Sequence, residues 1–157
     1  MNEVFEITYP DPDIISTEKS IFIQRLKQIA PDFSPIEVGS TAISGLIGKN
    51  DIDYLIYAPP KKFEKLITLL SNEFEDVPNQ TQNSYYRAFK FPSKIDIAIQ
   101  CTSDIKIRDK FLKFLNIMKT NTPLRQKYSD LKLNFDKRPM KEYRKEKERF
   151  IQEILST

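Results

Sequence analysis

Between residues 16 and 30 the apolar side chains Phe22, Leu26 and Ile29 recur at helical spacing, with Ile23 and Ala30 beside them. Pro31 and Pro35 end that run, so the pattern predicts a first helix over 16–30. Residues 36–38 then read as a short strand that delivers Gly39-Ser40, and 51–57 as a longer strand stopped by Pro59-Pro60. Between the two, residues 42–48 have the composition of a short helical turn. Pro60 suits a first helical turn, and Phe63, Leu66, Ile67, Leu70 and Phe74 draw one apolar stripe, which predicts an amphipathic helix over 61–72. Residues 85–91 and 94–101 alternate as strands, with Pro92-Ser93 as the turn of a hairpin.

The final third changes period. Ile107, Phe111, Phe114, Leu115 and Met118 form one helical stripe, Leu124, Tyr128, Leu131 and Phe135 a second, and Met140, Tyr143, Phe150, Ile151 and Ile154 a third. Pro123 and Pro139 stand where the second and third helices begin. The order helix, strands, helix, strands, helical tail predicts an α/β (α+β) fold: a small mixed β-sheet flanked by helices, with a helical C-terminal third. At 157 residues the chain is read as one domain, 1–157.

Composition removes chemistry. With no histidine there is no Ser-His or Cys-His machinery and no histidine zinc site, and the one cysteine, Cys101, forms no internal disulfide. Acid–base work falls to carboxylates, Lys or Tyr, or to metal ions. No segment has the apolar length of a signal peptide or membrane span, which predicts a cytoplasmic protein with no membrane partner. The net charge of +3 is too small an imbalance to indicate nucleic acid by itself.

The candidate chemistry lies in Gly39-Ser40 and in Asp51-Ile52-Asp53. Alternate strand residues share a face, so Asp51 and Asp53 lie about 7 Å apart at Cα, with Ile52 and Tyr54 turned away. A third acid, Asp96, is the only interior acid of the strand over 94–101. Three carboxylates beside a glycine-serine turn predict a metal-assisted phosphoryl or nucleotidyl transfer site. Asp51 and Asp53 are the shared ligands of two magnesium ions, and Asp96 is a further ligand or the base. Gly39, Ser40 and Thr41 meet the phosphate, and Lys49 and Arg87 are candidates for the triphosphate charge.

Each of these signals has an ordinary counterpart. Asp-x-Asp alone is common as a turn or cap at strand ends. The stretch from Gly45 to Asn50 lacks the spacing and the Ser or Thr of a P-loop. The Lys and Arg of the last helix, interleaved with Glu142, Glu146 and Glu148, read as a solvated face. Tyr85, Tyr86 and Phe89 read as strand core, and Cys101 as structural.

Val38-Gly39-Ser40-Thr41-Ala42-Ile43-Ser44-Gly45-Leu46 resembles the hallmark of the GrpB family, His-Val-Gly-Ser-Thr-Ala-Val-Pro-Gly-Leu. Tyr9-Pro10-Asp11-Pro12, Arg108-Asp109-Lys110-Phe111-Leu112, Tyr128-Ser129-Asp130-Leu131-Lys132 and the stretch from Tyr143 to Leu155 look like further family segments, so the resemblance covers nearly the whole chain. It implies a nucleotidyltransferase-like fold. Glu37 replaces the hallmark His, Asp53 matches the family acid and Asp51 is additional, and Lys94-Ile95-Asp96-Ile97 replaces a His-x-His-like strand. These departures move toward the Gly-Ser, Asp-x-Asp and third-acid pattern of polymerase-beta-like nucleotidyltransferases. The expectation is a magnesium-dependent nucleotidyltransferase that uses a nucleoside triphosphate, ATP by preference, and an unidentified acceptor. The alternative is a non-catalytic nucleotide- or protein-binding module on the same fold. The fold does not name the acceptor.

Overall fold

A computed structural model describes residues 3–9, 11–44, 46–49, 51–77 and 82–157. Pro10, Gly45 and Asn50, named above, lie outside the described residues. Helix α1, Pro12–Ile29, starts earlier than its apolar stripe because Asp11 caps it, accepting from the Asp13 N–H at 2.9 Å, with Pro12 in the first turn. Strand β1, Ile36–Glu37, leads to a single 3-10 turn, Ser40–Ala42, shorter than the turn expected over 42–48. Strand β2, Ile52–Tyr57, is followed by α2, Pro60–Ser71. A two-residue strand β3, Glu75–Asp76, carries no sequence pattern of its own; β4 is Tyr86–Phe91 and β5 Ile97–Thr102. Three helices complete the chain: α3, Ile105–Thr120, α4, Thr122–Phe135, and α5, Met140–Leu155.

The five strands form one mixed sheet in the order β1-β2-β5-β4-β3, with β2 and β5 parallel and the other pairs antiparallel. One face, from Ile52, Tyr54, Ile56, Ile97, Ile99, Phe89 and Phe91, shares a buried core with Phe22 and Leu26 of α1 and Phe63, Leu66 and Leu70 of α2. Phe22 stacks on Tyr54 with ring centroids 4.4 Å apart. Cys101 is fully buried on this face, and burial pushes its thiol well above the usual range, which fits a structural role. The opposite face of β2 and β5 turns Asp53 and Gln100 toward the C-terminal helices. No helix among the described residues is long and apolar enough to cross a membrane.

The N-terminal arm ties the helical third to the loop before β2. Phe5 donates its N–H to Arg138 O at 2.8 Å and accepts from Lys137 N at 2.7 Å, while Thr8 donates to Gly48 O at 3.1 Å. The Phe5 ring lies 3.8 Å from that of Tyr143, nearly parallel at 10°. The tight turn between α4 and α5 forces Lys137 to a φ of 66°, a conformation that L side chains disfavour. Lys137→Gly should therefore stabilise the protein by about 0.5–1 kcal/mol. Thermal unfolding checks this, and a lower midpoint in the variant contradicts the assignment of strain.

Candidate functional site

Gly39, Ser40, Lys49, Asp51 and Asp53 line one cavity of ≈ 180 Å³, together with Gln100 and residues of the three C-terminal helices. The strand geometry explains the first group. Val38 N–H donates to Asp53 O at 2.8 Å, so the chain leaving β1 runs directly past the Asp53 side chain. Gly39 has an ordinary φ of −78°, and its requirement is close approach rather than a special turn. A Cβ there would meet Asp53 Oδ2 at 2.8 Å and Asp53 Cβ at 3.3 Å. Gly48 is equally confined, since a Cβ on it would sit 2.6 Å from Ser40 Oγ and 3.2 Å from Lys132 Nζ.

The C-terminal helices supply the other wall, and they do so twice with one motif. Tyr128 and Lys132 on α4, and Tyr143 and Lys147 on α5, are each four residues apart and share a helical face, and all four line the cavity. The two phenols lie close enough to influence each other's ionisation. Lys132 is 4% exposed; its Nζ donates to Ile47 O at 2.8 Å and lies 4.4 Å from the centre of the Tyr128 ring.

Burial perturbs the charges here. Desolvation, then the neighbouring Asp51, pushes the Asp53 carboxyl up from 3.8 to about 6, against the opposing pull of Lys147 and Lys49. Desolvation and the nearby Lys147 bring Lys132 down from 10.5 to about 7, against Asp51 and Asp53. On the sheet, Tyr86 donates to Gln100 Oε1 at 2.7 Å, and burial with the Asp53 charge pushes its phenol up to about 12.

Three sequence-predicted residues stand elsewhere. Asp96 lies just before β5, because Phe91 pairs with Ile97 and leaves residues 92–96 as the hairpin loop. Its carboxylate is exposed, 3.3 Å from Lys90 Nζ, and does not line the cavity, but its backbone O accepts from Ile52 N–H at 2.7 Å beside Asp51, and its charge adds to the upward push on Asp53. Arg87 pairs with Asp76 at 3.0 Å and contacts Gln82, on the face of β4 turned away from Asp53. Thr41 donates its hydroxyl to Glu37 Oε1 at 2.9 Å, and Glu37 itself pairs with Lys19 at 2.6 Å. Among the described residues no three acidic or thiol side chains are grouped to hold a metal ion. Asp51 and Asp53 both line the cavity, two hard oxygen ligands of the kind that magnesium takes together with water and phosphate, while Asp96 does not line it.

Lys132, Lys147, Tyr128 and Tyr143 are the site residues that the sequence reading passed over. Lys147 was expected on a solvated face and instead lines the cavity. The available signal was the repeated Tyr-x-x-x-Lys spacing on two consecutive helices.

The sequence pattern of the GrpB protein family matches residues 14–157. A UPF0157 protein of Vibrio cholerae is 27% identical over 128 residues, 81% of this chain and 68% of that protein. The crystal structure of conserved protein GrpB from Enterococcus faecalis superposes with a TM-score of 0.71 at 19% identity, covering 96% of this chain and 97% of that one. The Cid1 poly(U) polymerase with MgGTP bound gives a TM-score of 0.50 at 20% identity, covering 76% of this chain and 41% of that one. The chain thus spans less than half of that polymerase. Identities this low establish likeness of fold, which is nucleotidyltransferase-like.

The geometry of Asp53 yields two expectations. Gly39→Ala should destabilise by about 1–3 kcal/mol, and the loss should shrink in an Asp53→Ala background, which a double-mutant cycle measures. A carboxyl raised from 3.8 to about 6 in the folded state stabilises below pH 4 and loses that contribution as pH rises through 6. Asp53→Asn should therefore melt higher than wild type above pH 6, by roughly 1–3 kcal/mol after allowance for screening through the cavity mouth, and converge with it near pH 4. Equal melting differences at pH 4 and pH 8 contradict the buried-charge account.

Proposed function

The chain belongs to the GrpB family, and on that footing we propose that it is a nucleotidyltransferase acting on a nucleoside triphosphate, ATP in this reading. The observation that carries the proposal is the convergence of Gly39-Ser40, Asp51, Asp53 and lysine ammonium groups on one cavity. The Gly39 and Ser40 amides and the Ser40 hydroxyl would donate to phosphate oxygens, a reading supported by the close packing of Gly39 on Asp53, which would bring phosphate and carboxylate near each other. A magnesium ion held by Asp51 and Asp53 would neutralise phosphate charge. In the transfer an acceptor oxygen or nitrogen bonds to the α-phosphorus, the α–β bridging bond breaks, pyrophosphate leaves with its electron pair, and the acceptor's proton passes to solvent water. Lys49 and Lys147 offset the charge that accumulates on the departing group.

The second reading, a nucleotide-binding module without turnover, is favoured by one observation: the third acid, Asp96, is engaged with Lys90 outside the cavity. Pyrophosphate release with each nucleoside triphosphate, magnesium and pools of hydroxyl, phosphate and amine acceptors separates the two. The transfer reading expects release that Asp51→Asn and Asp53→Asn each lower by about a hundredfold or more while the fold is retained. Nucleotide affinity that survives both substitutions, with no release from any triphosphate, leaves the binding module.

A further inference from the structure

The two carboxylates of the cavity, Asp51 and Asp53, face three ammonium groups, those of Lys49, Lys132 and Lys147. The walls therefore carry a formal excess of one positive charge, three minus two, when all five are ionised. Such walls favour an anion over a second cation. We infer that Lys49, Lys132 and Lys147 grip a polyphosphate directly, so that ammonium groups take the place of a second metal ion and a phosphate tail binds without any divalent cation. The inference deepens the nucleotide reading above, on which it rests, by naming the inorganic tail as the part that is gripped.

The three lysines come from separate places: the loop before β2, α4 and α5. Their convergence is not a local accident of sequence. Lys147 disfavours the charge of Lys132, and although Asp53 attracts both, among the described residues no hydrogen-bond acceptor is shared by the two ammonium groups. An anion between them would supply one. A lysine has three N–H donors. The one hydrogen bond of Lys132 in the structure takes Ile47 O, the Tyr128 ring covers another side, and the ammonium and Ser40 Oγ flank the same point beside Gly48. A phosphate oxygen on the cavity side of these two groups meets ammonium and hydroxyl together.

Size agrees with charge. The cavity of ≈ 180 Å³ is below the roughly 300–1,000 Å³ of pockets that enclose whole ligands, so it suits the phosphates with the nucleoside outside. Lys147 makes no ion pair among the described residues, whereas Lys49 lies 3.9 Å from Glu3, at the edge of that contact. Lys147 is thus the least committed of the three.

Isothermal titration of the full chain with sodium tripolyphosphate, in excess EDTA, tests the inference. Binding is expected in EDTA, weakened about tenfold or more by Lys147→Met and by Lys132→Met, and unchanged by Lys90→Met outside the cavity. Should Lys132→Met fail to fold, Lys147→Met, at a half-buried position, decides alone. Binding that requires magnesium, or that Lys147→Met leaves intact, or that Lys90→Met weakens equally, overturns it. The transfer proposal fails separately, by absence of pyrophosphate release, and tripolyphosphate binding in EDTA would survive that failure.

Discussion

The buried bond from Lys132 Nζ to Ile47 O, at 2.8 Å, joins the two halves of this molecule where the cavity lies. On one side is the loop between Ser40 and β2, which has little regular structure of its own; on the other is α4, whose lysine could have reached solvent had it been placed one position around the helix. Burying an ammonium costs several kcal/mol unless other groups answer its charge. Asp51 and Asp53 supply that answer across the cavity, and each raises the proton affinity of Lys132. The acids and the lysine thus depend on one another. The parallel pairing of β2 with β5 fixes the first and the packing of α4 on α3 and α5 fixes the second.

Much of this architecture could be read before any coordinates. The helical stripes and the alternating strands lie near their expected residues because each buries one face, and burial is what periodicity records. Asp51 and Asp53 were legible for the same reason: two acids on one strand face interrupt an otherwise apolar pattern. Alternation at 94–101 runs on through the hairpin loop, so the pattern does not show that β5 begins only at Ile97, where the strand pairs with Phe91, and leaves Asp96 just outside it. Lys147 was hidden by its company. On α5 a lysine turned to the cavity and a lysine turned to water have the same charged neighbours in sequence, and only the docking of that helix distinguishes them.

The site works against stability in a recognisable way. Burial raises the proton affinity of Asp53 and lowers that of Lys132, so each is held where its charged form is disfavoured, and Gly39 and Gly48 are held where a single carbon would collide. Such costs gathered in one recess, with ionisation perturbed there, are what make these residues candidates for function. Glu37 offers the contrast. It stands where the resemblance implies a histidine, and its Oε1 is held by both Lys19 and Thr41, so it braces the entry to the Gly39-Ser40 turn and does not line the cavity.

A crystal structure with magnesium and a non-hydrolysable nucleoside triphosphate addresses the claim that acids, ammonium groups and the Gly39-Ser40 turn form one phosphate site. The account predicts phosphate oxygens within hydrogen-bond reach of Lys132 Nζ and Lys147 Nζ and of the Ser40 amide, with one metal ion on Asp51 and Asp53. Phosphates seated instead on the exterior, with Lys132 bonded only to Ile47 O and the helical wall untouched, would contradict it.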